Sequence, residues 1–391
     1  MKRYSAQYIF TNAGPPLKRG IITADGEGRI SNIEDTGGDL IEKGSIEFHN
    51  GIIIPGFVNC HCHLELSHMK GIIPEKSGLA GFLRLIRTSR DIKSRNTLSP
   101  AESADAAMYS DGTVLCADIC NSDSTFGIKK RSRIKYISLL EVFGIDPAKA
   151  LHRFNEIKQI SEIAEAMGIP YYFVPHSVYS LSLSLFSILL AATGSNKITS
   201  MHFMETDSEK TFLKRHEGTI MDSYKESGLY SGSLETVKDH ATAVLDNITS
   251  SGNLILVHNT YTDEATVEEV SKRGNIYWCL CPNSNLYIED KLPPLNLLIE
   301  KDCRIVIGTD SLASNKSISI LEEIKTLQFS FPGLSLEELI KWATLNGAKA
   351  LGEESSYGTI EKGKKPGLLL LQDIDLHKMK LLPESNITRL L

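Results

Sequence analysis

A chain of 391 residues with 41% hydrophobic and 23% charged residues has the make-up of a soluble globular protein, long enough to bury a large core beside a smaller unit. Its net charge of −6 and pI near 6.0 give no support for nucleic-acid binding, which usually shows a basic surface. No apolar run approaches the ~18–20 residues of a membrane helix, and Met1-Lys2-Arg3-Tyr4 opens no signal peptide, so a cytoplasmic protein with no membrane partner is expected.

In chain order, residues 1–50 are short segments such as Tyr8-Ile9-Phe10 and Ser45-Ile46-Glu47-Phe48, separated by glycine clusters, and read as a small β unit. The run Ile52 to His63, apolar, β-branched and punctuated by Pro55-Gly56, predicts a buried strand. Strands then alternate with helices. Further strands are predicted over 112–119, 134–143, 171–174, 198–204, 253–258, 275–281 and 304–308. Helices are predicted over 78–90, 100–109, 147–167, 182–193, 240–250, 263–273, 318–328 and 335–351, with 209–239 irregular. Strands trailed by helical sequence indicate an α/β fold, a (β/α)8 barrel of TIM type. A doubly wound open sheet is the alternative, but no Gly-rich phosphate loop follows the first strand. The tail from Gly358 into Leu368–Leu371 returns to short strands and is expected to pair with the first segment. The expected organisation is a small β-sandwich made of residues 1–50 and 353–391 around a barrel of residues 51–352. Seven cysteines, an odd number lying mostly inside apolar runs, fit reduced core residues rather than a disulfide framework.

In such a barrel the active site lies at the C-terminal ends of the strands. His61 and His63 end strand one on a common face by strand alternation. Strand four ends in Pro175-His176-Ser177, and strand five carries His202-Phe203-Met204-Glu205. Strand six ends in His258-Asn259-Thr260, strand seven runs into Cys281–Asn285, and strand eight ends in Thr309-Asp310-Ser311. His61, His63, His202 and Asp310 supply the N/O ligands of a metal with one open position, and Cys60 and Cys62 point away from the histidine face. Glu205 is placed to shuttle protons beside the metal's water. His258 would orient the attacking hydroxide, and His176 would face the substrate.

The markers PGFVNCHCH at 55–63, HFME at 202–205, LVHNT at 256–260, CPNSN at 281–285 and GTDSLASN at 308–315 resemble the amidohydrolase superfamily, over nearly the whole chain. Within it the chain is similar to the mononuclear aminohydrolase branch of guanine, adenosylhomocysteine and aminodeoxyfutalosine deaminases and triazine hydrolases. No lysine ends the fourth strand to bridge two metals, as in binuclear members. The resemblance implies one divalent metal ion, zinc in first place and iron as the alternative that a His/Asp set accepts. It implies a hydrolase of carbon–nitrogen bonds that deaminates an amino-substituted heterocycle, an aminopurine nucleoside-like small molecule, and releases ammonia. Asp310 would take a proton from the metal's water, Glu205 would protonate the ring nitrogen, and His258 would fix the hydroxide. Cyclic-amide ring opening and hydrolytic dechlorination are the alternatives on the same barrel. HLELS at 63–67 is similar to aminodeoxyfutalosine deaminases, which implies a substrate contact for Glu65, with His176 and Ser311 as further substrate-binding candidates. Arg84 and Arg87 on the first helix could meet an anionic group, but read rather as solvated face residues. The zinc deaminases of cytidine and polynucleotides are excluded, because His63-Leu64-Glu65 matches their H-x-E element but no P-C-x-x-C follows. A homodimer is the family expectation.

Overall fold

The apolar runs become eight parallel strands: Phe57–Cys62, Thr113–Cys120, Lys135–Val142, Tyr171–Pro175, Ile198–Phe203, Asn253–His258, Ile276–Leu280 and Ile305–Ile307. They belong to a computed structural model that describes residues 1–39, 45–89, 97–230, 232, 234–248 and 251–391. The predicted helix ends at 90 and 249–250 lie outside the described residues. Every residue of Phe57–Cys62, Thr113–Cys120 and Ile198–Phe203 is buried, as strands covered on both faces must be.

The strands pair in chain order as two four-stranded sheets. A bridge between Ser177 and His202 joins strand four to strand five, with His202 N–H donating to His176 O at 2.8 Å. A second bridge, between Cys62 and Asp310, joins strand eight to strand one; Thr309 and Asp310 N–H both donate to His61 O at 3.0 Å. The ring therefore closes, and it closes through the backbone of the predicted site residues. Gly308 permits the second closure. A Cβ there would lie 2.8 Å from His61 Cβ and 2.9 Å from Cys279 Sγ, too close for any other residue.

The two ends of the chain share one seven-stranded sheet, in the order Lys380–Arg389, Leu368–Asp375, Ile46–Pro55, Lys2–Ile9, Ile21–Ala24 and Ile30–Glu34, with Leu17–Lys18 against Lys2–Ile9. Ile52–Pro55 pairs inside this sheet, with Leu368–Leu371 on one side and Ile52–Ile53 against Tyr8–Ile9 on the other. The predicted first barrel strand is thus two strands. The handover falls at Pro55-Gly56 rather than at residue 51, because proline removes the ladder donor and glycine allows the corner. Gln328, on the helix Ile320–Ser330, locks the sheet to the barrel by exchanging side-chain amide hydrogen bonds of 3.0 and 3.1 Å with the Leu381 backbone.

The stretch expected to be irregular, 209–239, holds two short helices, Ser208–Arg215 and Thr219–Glu226, divided by Gly218 at φ +89°. Their buried apolar residues are only Phe212, Leu213, Ile220, Met221 and Tyr224 among many charges, too weak a period to read. Helices Pro282–Glu289 and Leu295–Glu300 also escaped the periodicity, although Pro282 marks the first turn of one. Among the described residues no helix is long and apolar enough to cross a membrane.

One charged residue is packed where its neighbours in sequence are not. Lys129 stands in the run Lys129-Lys130-Arg131, yet its Nζ lies 2.6 Å from Asp118 Oδ2 with both side chains at most 1% exposed. It also reaches Cys120 Sγ at 2.9 Å and Ser138 Oγ at 3.0 Å. Burial alone would lower the lysine pKa, but Asp118 and Cys120 outweigh it and hold the ammonium charged. The other oxygen of Asp118 accepts the Leu64 N–H at 2.7 Å, directly after His63. Lys129→Met therefore leaves an uncompensated buried carboxylate and is expected to cost about 3–5 kcal/mol, read by urea denaturation. Glu102→Gln, which breaks the exposed 3.2 Å pair with Arg131, serves as the control at about 0–1 kcal/mol. Equal losses in the two variants would refute the structural role of the buried pair.

Candidate metal and catalytic site

The strand ends bring His61, His63, His202, His258 and Asp310 to one point on the barrel axis. His61 Nε2 lies 3.2 Å from His63 Nε2. Asp310 Oδ1 lies 3.5 Å from the first of these nitrogens and 3.3 Å from the second. The His61 ring centroid is 4.9 Å from that of His202 and 5.8 Å from that of His258. Two sets of convergent ligand atoms share His61, His61–His63–Asp310 and His61–His202–His258, and a third, Glu141–His176–His202, shares His202. Among the described residues no cysteine joins them.

The tautomers follow from the partners. His202 Nδ1 is 2.8 Å from His176 O, a carbonyl that can only accept, so this nitrogen carries the proton and Nε2 presents a lone pair to the cluster. His258 does the same through Nδ1 and the side-chain oxygen of Asn285 at 2.8 Å. Such outward N–H donation is how metal-ligating histidines are usually held. Burial, with the surrounding histidines, pushes His202 well below its ordinary value, and burial lowers His258 to about 4. Both imidazoles are therefore neutral and able to bind a cation. Asp310 is raised by burial, but the hydrogen bond from His61 and the electrostatic pull of the surrounding imidazoles outweigh this and hold its carboxyl well below the usual carboxylate range. Its Oδ2 accepts from Ser284 at 2.7 Å and from Ser314, which leaves Oδ1 for the cluster.

The donor set fits a small divalent ion. Ligand atoms at ~2.0–2.1 Å from a tetrahedral zinc lie about 3.3 Å from one another, the separation His61, His63 and Asp310 already hold. Backbone strain helps to aim the set. Met204, His258, Asn259 and Asp310 take φ of 49°, 76°, 59° and 56°, conformations that cost of order 1–3 kcal/mol each and cluster at functional sites.

Glu205 stands beside the cluster, 5% exposed, with Oε1 3.7 Å from His258 Nε2. Burial first, then Asp310, Glu209 and Glu289, raise its carboxyl well above the usual range, which favours the protonated form. Its position is set from behind. Glu209 Oε1 accepts the N–H of Glu205 at 2.7 Å and of Thr206 at 3.1 Å, and Glu209 Oε2 meets His240 Nε2 at 2.8 Å. Neither Glu209 nor His240 was singled out in the sequence, since their pairing spans 31 positions.

A cavity opens over the cluster. His63, His176, His202, Glu205, His258, Asp310 and Ser311 all line it. His176 is held by the Ser177 and Ser180 hydroxyls at 3.0 and 2.9 Å, and Ser311 Oγ is 3.1 Å from Ser314 Oγ. Glu65 is placed otherwise. Its carboxylate accepts from the N–H groups of Asn121 and Ser122 and from the Ser122 hydroxyl at 2.8 Å, and it lines an adjoining cleft instead. The two hollows share Asn121, Phe143 and Arg153. Two residues absent from the reading, or discounted in it, also face the cavity. Glu141, near the end of strand three, has Oε1 3.5 Å from His202 Nδ1. Arg87 lines the wall, while Arg84 is exposed as expected.

The sequence model of the amidohydrolase family matches residues 52–389, and the chain belongs to that family. It is similar to an adenosine deaminase of Helicobacter pylori, 25% identical over 82% of this chain and 79% of that one. It is also similar to a 5'-deoxyadenosine deaminase of Methanobrevibacter smithii, 26% identical over 91% of this chain and 80% of the relative. Among solved structures, the aminofutalosine deaminase of Helicobacter pylori in complex with methylthio-coformycin superimposes with a TM-score of 0.79 at 21% identity, covering 96% of this chain and 93% of that one. The barrel and end sheet are the fold of that structure.

Proposed function

We propose that this amidohydrolase is a metal-dependent hydrolytic deaminase of an adenosine-like nucleoside, with a zinc ion held by His61, His63, His202 and Asp310. The observation that carries the reading is Glu205, a buried carboxyl pushed toward its protonated form beside the neutral His202 and His258 and the ionised Asp310. The names of the curated relatives support the substrate class. When bound, the ion supplies a Lewis acid that makes water a nucleophile at neutral pH.

The side chains divide the remaining work. Asp310, with Oδ2 occupied by Ser284 and Ser314, offers Oδ1 to the proton that water gives up. His258, fixed through Asn285, turns Nε2 toward the incoming oxygen. Oxygen adds to the ring carbon that bears the amino group as Glu205 protonates the adjacent ring nitrogen. The carbon–nitrogen bond then breaks: the proton gathered by Asp310 leaves with ammonia, the proton still on the added oxygen returns to Glu205, and water and amine become carbonyl and ammonia. His176 and Ser311 line the same cavity and contact the heterocycle.

The test is ammonia release by metal-loaded protein from adenosine, 5'-deoxyadenosine and a panel of other amino-heterocycles. Ammonia from the nucleosides is expected. Ring opening or chloride release from cyclic amides or chlorotriazines, with no ammonia, would overturn the reading. The support behind Glu205 gives a further expectation. Glu209→Ala frees the Glu205 loop and should lower kcat by about 10²-fold, the scale of a 1 Å misplacement. KM should stay near the parent value, and Glu209→Gln should recover part of the loss. An unchanged kcat in Glu209→Ala would remove the residue from the positioning of Glu205.

A further inference from the structure

Behind the loops that follow strands seven and eight lies a carboxyl group to which the chemistry above gives no part. Glu323 stands in the first turn of the helix Ile320–Ser330 and is fully buried, while its neighbour Glu322 is exposed and pairs with Lys325 at 2.7 Å. Burying such a group is costly unless its oxygens are hydrogen-bonded, and here both are. Oε2 accepts the backbone N–H of Asn283 at 2.9 Å, and Oε1 accepts from Asn315 Nδ2 at 2.7 Å. Neither partner can reverse its role. A backbone N–H only donates. The Asn315 amide is fixed because Nδ2 also donates to Thr309 O at 2.9 Å and Oδ1 accepts the Ser317 N–H at 3.2 Å.

The two partners are the chain neighbours of the residues that hold Asp310. Ser284 follows Asn283 and Ser314 precedes Asn315, and both hydroxyls donate to Asp310 Oδ2, that of Ser284 at 2.7 Å. One side chain therefore ties the loop after strand seven to the loop after strand eight where both reach the same oxygen. Thr326, one turn further along the helix, adds a bond of 2.6 Å from its hydroxyl to Asn283 Oδ1. Asp310 itself takes φ 56°, a conformation that persists only where its surroundings enforce it. We propose that Glu323 is a positioning residue: by holding Ser284 and Ser314 in register it fixes the rotation of the Asp310 carboxylate, so that Oδ1 is the oxygen offered to the histidine cluster. An apolar side chain there would fill the space and leave the two loops unlinked. This rests on the reading of Asp310 as a zinc ligand and proton acceptor.

The test is a double-mutant cycle with two readouts, the zinc affinity of metal-free protein by competition with a chelator and ammonia release from 5'-deoxyadenosine. Glu323→Gln keeps one accepting oxygen and sets an amide donor against the other partner. It should weaken zinc binding and lower kcat by about 10-fold each, the lower end for residues that support metal ligands, with KM near the parent value. Glu323→Ala loses both acceptors and should cost up to about 100-fold; if that variant does not fold, the glutamine variant decides alone. In a Ser284→Ala, Ser314→Ala background Oδ2 has lost both hydroxyls, and Glu323→Gln should add nothing further, since members of one network are not additive. A residue that merely stabilises the fold would lower Tm alike in both backgrounds and leave zinc affinity at the parent level. Unchanged zinc affinity in Glu323→Gln, or a loss that multiplies with that of the serines, overturns the proposal. Parent-level zinc affinity in Asp310→Ala would sink the zinc reading of Asp310 and the proposal with it. A coupled loss of zinc affinity in a protein that releases no ammonia would leave the positioning role standing and sink the deaminase reading alone.

Discussion

Glu205→Gln is expected to lower ammonia release by about 10²–10⁴-fold, the usual share of general acid–base catalysis, with metal content unchanged. Glutamine has the same shape. The Glu205 N–H is held by Glu209 at 2.7 Å whichever side chain it carries, so the amide takes the place of the carboxyl. What it lacks is a transferable proton. The carboxyl is suited to the transfer because burial and the nearby carboxylates favour its protonated form, 3.7 Å from His258. Glu205 belongs to neither set of convergent ligand atoms around His61, and for that reason its loss should spare the metal. Turnover of the variant within tenfold of the parent would remove Glu205 from the proton path.

The parts of this molecule that could be read from sequence are those where one physical rule acts alone. A strand buried on both faces has no reason to carry a histidine or aspartate except at its open end, so His61, His63, His202, His258 and Asp310 stood out against their apolar runs. The boundary at Pro55-Gly56 did not, because Ile52–Ile54 is equally apolar whether it lies in the end sheet or in the barrel. Glu141 was hidden inside a predicted strand whose last position was set one residue too far, at Phe143 rather than Val142. Lys129 was hidden by Lys130 and Arg131, since nothing in a basic run says which member turns inward. Ser284, Ser314, Glu209 and His240 act only through contacts between distant segments, and no local spacing announces them. Arg87 was misjudged for a related reason. It lies one position from Ile86 on a helix whose apolar face looks like core packing until the cavity over the histidines is seen. Glu65 shows the converse, a residue marked by a motif whose carboxylate is engaged by Asn121 and Ser122.

His202→Ala is expected to lose both metal and activity, and its comparison with His258→Ala decides which histidines hold the ion. The two rings are nearly parallel, 17° apart with centroids 5.4 Å from each other, and both converge with His61. Their supports differ. His202 gives its Nδ1 proton to the His176 backbone at the seam that closes the barrel, where its own N–H also bonds to His176. Its nitrogen is therefore fixed by the ring of strands itself. His258 is held by the Asn285 side chain and faces Glu205 at 3.7 Å, which places it between the cluster and the proton donor. Removing His202 should drop bound zinc well below one equivalent after dialysis against a weak chelator, whereas His258→Ala should retain it and lose turnover alone. Both ends of this comparison carry risk for the assignment. Stoichiometric metal in His202→Ala would take that residue out of the ligand set, and metal loss in His258→Ala would put His258 into it.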